Sequence, residues 1–268
     1  MNGFFANAIH ELRLALVAVQ FLTRVPVPGW VGQGFQADWL NTCVRHFPLV
    51  GALVGAFGAA VLWAALGWWP PAVAAVLAVA ATVWLSGAFH EDGLADTFDA
   101  LGGYVPRDKA LAIMKDSRIG TYGAAALVVG LGLRVALVAT LAAAHPTAAL
   151  LALVAAHAVG RTAAVGVMAW LPYAGDAEHA KAKPLALAVP RTTVAVALAA
   201  GAAMLGGLAM VPGGFTPTRG LAVAGAAVGV VLAMRRWLRQ RLGGYTGDAL
   251  GATEQLTEMA VLLVLAAA

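Results

Sequence analysis

Seven apolar runs fall at about 47–67, 72–90, 121–143, 147–171, 191–211, 219–234 and 250–268 of this 268-residue sequence. A helix needs about 20 apolar residues to cross the hydrocarbon layer, and most of these runs are that long. Lipid offers no partner to backbone N–H and C=O groups, so the crossing segments must be helical. Composition agrees, with 61% hydrophobic and 11% charged residues, against roughly 45–50% and about 25% in soluble domains. The expected fold is all-α, a polytopic integral membrane bundle of six to seven transmembrane helices forming one domain over residues 1–268. The count is left open because the last run begins with Thr253, Glu254, Gln255 and Glu258, and only its final third is strongly apolar.

Residues 1–24 read as an amphipathic helix too short to span, with Phe4, Phe5, Ala8, Leu12, Ala15, Leu16 and Val19 as its apolar stripe. Arg24 and the absence of a small-residue cleavage site argue against a signal peptide. Connections 24–46, 91–120, 172–190 (with His179, Lys181 and Lys183) and 235–249 carry most of the Lys and Arg. The short connections at 67–71, 144–147 and 211–218 carry none. This strict alternation predicts that the N-terminus and the long loops are cytoplasmic. The net charge of +4 arises from these loop cations, so no nucleic-acid partner is expected. Cys43 is the only cysteine, which leaves no disulfide framework and no thiolate metal site.

Against this apolar background, Ser86–Gly103 stands out, because Glu91, Asp92, Asp96 and Asp99 fall within nine positions. On a helix Asp92, Asp96 and Asp99 share one face. Three like charges there repel unless a cation neutralises them, and oxygen-only ligands favour a hard ion such as Mg²⁺. Glu91, about 100° from Asp92 around the helix, reads as a supplementary ligand, with His90 a weaker one. The alternative is a solvated acidic helix end flanking a span. Lys115 and Arg118, around Asp116 and before Gly120 and Gly123, form a cation pair suited to a phosphate or pyrophosphate; each alone reads equally as a topology anchor. Gly243–Ala252 contains Thr246 and Asp248, which read equally as a loop closing over a ligand or as helix caps. Two arginines lie inside apolar runs. Arg161, one turn after His157, is expected with it to line a cavity beneath the acidic face, whereas Arg134 fits a functional role and a structural ion pair equally well.

Three motifs together resemble the cobalamin synthase (adenosylcobinamide-GDP ribazoletransferase) family: His90–Asp99, Ile113–Gly123 and Gly243–Ala252. Phe21–Pro28 and Arg45–Gly51 resemble that family's opening, so the likeness runs from about residue 14 to the C-terminus. The acidic stretch is more distantly similar to CDP-alcohol phosphotransferases, but Ala95 is followed by Asp96 where that group has Arg.

The resemblance implies an inner-membrane, Mg²⁺-dependent transferase that joins adenosylcobinamide-GDP to α-ribazole or its 5′-phosphate and releases GMP. In that reading Glu91, Asp92, Asp96 and Asp99 hold metal. His90, Lys115, Arg118, His157, Arg161 and Thr246 contact substrate, and Asp99, Asp116 or Asp248 takes the proton of the attacking hydroxyl. The lipid bilayer is the remaining partner, and a homo-oligomer is compatible with all of this. The competing expectation is a transporter, whose signature would be acidic residues near mid-bilayer on broken helices.

Overall fold

A computed structural model describes residues 2–175 and 189–267, with backbone alone for residues 2–6. Phe4 and Phe5 of the expected stripe, and His179, Lys181 and Lys183, therefore lie outside the described side chains. Among the described residues eleven α-helices run in order: α1 (Asn2–Leu22), α2 (Asp38–Thr42), α3 (Phe47–Leu66), α4 (Pro71–Ser86), α5 (Phe89–Leu101), α6 (Arg107–Lys115), α7 (Thr121–Ala144), α8 (Pro146–Trp170), α9 (Arg191–Ala209), α10 (Pro217–Arg241) and α11 (Gly247–Ala266). The described residues form no strand, only an isolated bridge between Tyr173 and Tyr245. Among the described residues six helical stretches are long and apolar enough to cross a membrane, or seven if α4 and α5 count as one bent span. The chain is an integral membrane protein.

Helix starts follow local chemistry. Pro48, Pro71, Pro146 and Pro217 stand in the first turns of α3, α4, α8 and α10, where the missing N–H costs nothing and the fixed φ suits a helix. Thr216 and Thr246 cap α10 and α11 with their hydroxyls. The central helix is α8, packed on α3, α7, α9, α10 and α11. Its approach to α3 is close because α3 turns Gly51 and Gly55 toward it. A Cβ on Gly55 would stand 2.5 Å from the Leu153 carbonyl oxygen, and such small-residue contacts hold helices together where lipid supplies no hydrophobic drive.

Apolar packing divides into two clusters. One, at the end bearing α5 and α6, is built on Leu14, Val50, Leu101, Val165, Leu238 and Ala252. The other, at the opposite end, is built on Leu62, Ala78, Val138, Leu153, Val223 and Leu262. Between them lies a buried polar layer of Thr82, His90, Glu91, Arg134, His157, Arg161, Glu254, Gln255 and Glu258.

Two expectations are corrected. The run at 72–90 is not one continuous helix leading into the acidic stretch, because α4 stops at Ser86 and α5 leaves it at 88°. Gly87 (φ 71°) and Ala88 (φ 58°) make that corner. Glycine occupies the left-handed region freely, whereas alanine there costs about 1–2 kcal/mol. The second correction concerns α1. Its buried face is Leu14, Val17, Ala18 and Leu22, while Ala8 and Leu12 of the expected stripe are exposed. The expectation took the polar residues to face away from the bundle, whereas Glu11 turns toward it. α1 is tied down by Glu11, which pairs with Arg45 at 3.2 Å and His46 at 3.2 Å.

Candidate active site

Helix α5 carries the acidic stretch, and its residues divide by direction. Asp92 is exposed, Asp96 is 9% exposed and Asp99 is half-buried. His90 and Glu91 turn inward, at 5% and 6% exposure. Glu91, expected beside Asp92 as a ligand, gives its Oε1 to Arg134 Nη1 at 3.0 Å in the interior. The helical step of 100° that separates Glu91 from Asp92 is enough to put one in the bundle and the other outside.

Asp99 is held by the start of α7. Gly120 N–H donates to Oδ2 at 2.7 Å and Gly123 N–H to Oδ1 at 2.8 Å. A carboxylate suits a helix N-terminus, where unpaired N–H groups and the dipole both favour negative charge. The two glycines are required by proximity, since a Cβ on Gly120 would lie 2.5 Å from Asp99 Oδ1. This contact brings the 116–120 loop against the C-terminal half of α5. On that loop Arg118 Nε donates to Asp116 Oδ1 at 3.0 Å and Oδ2 at 3.1 Å, and the carboxylate keeps the Arg118 guanidinium above its ordinary pKa. Arg118 and Lys115 are both exposed.

Helix α11 meets α5 where each has a glycine. A Cβ on Gly93 would stand 2.7 Å from the Asp248 carbonyl oxygen, and one on Gly251 would stand 3.3 Å from the Cα of His90. This crossing sets the backbone of Asp248 against α5 between Asp92 and Asp96. Thr246 is buried; its hydroxyl accepts from Ala249 N–H at 3.2 Å and lies 3.6 Å from Met114 Sδ. It serves as the cap of α11. The loop before it is pinned by Arg107, which donates to the carbonyl oxygens of Leu242 at 2.8 Å and Ala174 at 3.1 Å. Burial pushes the Tyr245 phenol up to about 12.

Beneath α5 the buried layer forms a charge network. Arg134 reaches Glu258 Oε2 at 3.0 Å and Gln255 Oε1 at 2.7 Å besides Glu91. Arg161 Nη1 pairs with Glu254 Oε1 at 2.5 Å and contacts Glu258 Oε1 at 3.5 Å. His157 pairs with Glu258, and His90 Nδ1 lies 3.7 Å from Glu254 Oε2. Three carboxylates thus face two guanidiniums and two imidazoles. Such groups are tolerated inside a membrane bundle only when mutually paired. His90, His157 and Arg161, expected at the substrate, are placed in this interior. Arg134 is a structural ion pair.

Glu254 and Glu258, expected only as part of the polar start of the last span, are carboxylates of this network. The signal that could have found them is their i, i+4 spacing in an otherwise apolar helix facing a chain with two intramembrane arginines. Among the described residues, His157, Glu254 and Glu258 are also the one set of three such side chains whose ligand atoms lie within 4.8 Å of one another. Arg134 and Arg161 already neutralise those carboxylates. The α5 aspartates are not gathered to that distance. They fit a hard cation in a different way, because Mg²⁺ is commonly held by one or two carboxylates together with substrate phosphates and water.

Residues 14–266 match the cobalamin-5-phosphate synthase family. The chain belongs to that family. It is 52% identical over 262 residues to the adenosylcobinamide-GDP ribazoletransferase of Leptothrix cholodnii, covering 96% of each chain. It is 46% identical over 256 residues to that of Ralstonia nicotianae, covering 94% of this chain and 93% of the relative. It is 39% identical over 255 residues to that of Shewanella piezotolerans, covering 95% of each. No solved structure matches the chain. The three motifs that carry the resemblance in the sequence lie on the three structural parts just described: α5, the loop entering α7, and the capped start of α11.

Proposed function

We propose that this chain is a membrane transferase that joins adenosylcobinamide-GDP to α-ribazole or its 5′-phosphate and releases GMP, with the α5 end of the bundle facing the cytoplasm. The observation that carries the proposal is the convergence on α5 of exposed Asp92, a cation-bearing loop clipped on through Asp99, and the start of α11 abutting Gly93. A polar end of this kind is accessible to soluble nucleotides, and the lipid around the spans can receive the apolar parts of a large substrate.

Asp92 and Asp96 would hold Mg²⁺, with Asp99 further along the same helix; Glu91, paired with Arg134 in the interior, is not among the ligands. When bound, the ion supplies charge neutralisation on the pyrophosphate. Lys115 and Arg118 bind phosphate oxygens, Arg118 exchanging Asp116 for the substrate. A ribazole hydroxyl attacks the phosphorus that carries the cobinamide arm. The new P–O bond forms as the bond to GMP breaks in line, and the hydroxyl proton passes to a carboxylate. Asp99 has both oxygens held by backbone N–H groups and Asp116 has both on Arg118. Asp248 stands on the first turn of α11, its backbone beside Gly93, and the three carboxylates remain the candidate acceptors. His90, His157 and Arg161 act through the buried network, fixing the inner face of α5 and hence the direction of Asp92 and Asp96.

The bent α4–α5 pair and the mid-bundle glutamates are features a transporter would use. Here Arg134 and Arg161 pair with those glutamates, and the family match favours transfer. The test is paired: formation of the joined corrinoid from both substrates in detergent, and flux of either substrate into proteoliposomes. Joined product without flux supports the proposal. Flux without product overturns it.

A further inference from the structure

The cations that end α10 do not share one direction. Arg241 turns inward, donating to the carbonyl oxygens of Leu101 at 2.9 Å and Gly103 at 2.7 Å, and Trp237 meets Phe98 edge-on at 5.7 Å. Met234 and Leu238 are buried on the same side. At 100° per residue, Leu232, Arg235, Arg236, Arg239 and Gln240 occupy the opposite face. These five residues line an open depression of about 470 Å³. The Arg235 guanidinium lies 4.5 Å from the centroid of the Trp170 ring, at the end of α8. Arg236 and Arg239 are exposed and have no acidic partner among the described residues. Followed toward the other end of the bundle, this face of α10 continues as Leu232, Val228 and Leu221, exposed by 52%, 57% and 75%.

An outward apolar stripe on a membrane helix is the side that lipid covers, and the arginine depression begins within one turn of its end. Its depth is therefore that of the headgroups, where an exposed tryptophan is also at home. An occupant must bring negative charge to Arg235, Arg236 and Arg239 while lying against Leu232. Inorganic phosphate satisfies only the first condition, and an anionic phospholipid satisfies both.

We propose that this depression is a binding site for an anionic phospholipid, its phosphate among Arg235, Arg236 and Arg239 and an acyl chain along Leu232 and Val228. The site is on the outer side of α10, away from Asp92 and Asp96. It bears on them indirectly, because Arg241 and Trp237 on the inner side of the same turns hold the end of α5.

The full-length protein in nanodiscs of phosphatidylcholine, or of phosphatidylcholine with phosphatidylglycerol, tests this by melting temperature and by retained lipid in native mass spectrometry. Phosphatidylglycerol is expected to raise the melting temperature and to be retained preferentially. R236Q/R239Q should weaken that preference roughly 30-fold while melting normally in phosphatidylcholine alone. R191Q, which removes an exposed charge at the start of α9, should keep the preference. The single R239Q carries the comparison if the double variant does not fold. An undiminished preference in the α10 variants, or equal stabilisation by inorganic phosphate in phosphatidylcholine nanodiscs, overturns the proposal.

Discussion

Gly123 donates its backbone N–H to Asp99 Oδ1 at 2.8 Å, so the first turn of α7 is clipped to the acidic helix α5. The same carboxylate also accepts from Gly120 at 2.7 Å, and one side chain thereby fixes where the Lys115–Gly120 loop stands relative to Asp92 and Asp96. D99N retains one acceptor oxygen but turns an NH₂ toward an N–H. It should destabilise the protein by about 1–2 kcal/mol, the range for a lost helix cap, read as a lower melting temperature in detergent.

Exposed Asp92 separates folding from chemistry. D92A should change stability by no more than about 0.5 kcal/mol, as surface substitutions do. It should also lower product formation at least about 100-fold, the scale of losing a charge-stabilising group at a reacting phosphate. Product formation and melting temperature on one preparation check this; near-normal turnover in D92A would remove it from the site.

The buried network predicts strong coupling. R134M leaves Glu91 and Glu258 without their guanidinium inside the bundle, which should cost about 3–5 kcal/mol. In the double variant R134M/E258Q much of that loss should be recovered, because one uncompensated carboxylate is removed along with the cation. A double-mutant cycle on thermal unfolding measures the coupling; strict additivity would mean that the two side chains do not share a network.

Glycine positions give a packing control. G55A places a methyl group 2.5 Å from the Leu153 carbonyl oxygen, forcing α3 off α8 at a cost of about 1–3 kcal/mol. G132A on α7 meets nothing within 4 Å and should be neutral or stabilising by up to about 1 kcal/mol. Comparative melting of the two variants tests whether close α3–α8 approach holds the bundle.

Much of the architecture was readable from the residues because it follows from bulk physics. Apolar runs of bilayer length predicted the spans, and the α7, α8 and α9 expectations lie within a few residues of the observed helices. The corner at Gly87–Ala88 was not readable. It depends on two left-handed residues, one an alanine that gives no composition signal. The packed face of α1 was not readable because its polar residue Glu11 turns toward Arg45 and His46 of the bundle rather than outward, a pairing across 34 and 35 positions. In the site, the exposure of Asp92, Lys115 and Arg118 was legible from charge in an apolar context. The inward turn of Glu91 and the pairing of Glu254 and Glu258 with Arg134 and Arg161 were not. These pairings join residues 43 to 124 positions apart, from Glu91–Arg134 to Arg134–Glu258, and nothing local in the chain encodes that proximity.

The most direct measurement is GMP release by the purified full-length protein given adenosylcobinamide-GDP and α-ribazole together, with Mg²⁺ present and after chelation. Release equimolar with the joined corrinoid, dependent on both substrates and abolished by chelation, is the expected result. Release that needs no ribazole, or that proceeds equally without a divalent cation, would contradict the assignment of α5 as a metal-assisted transferase site.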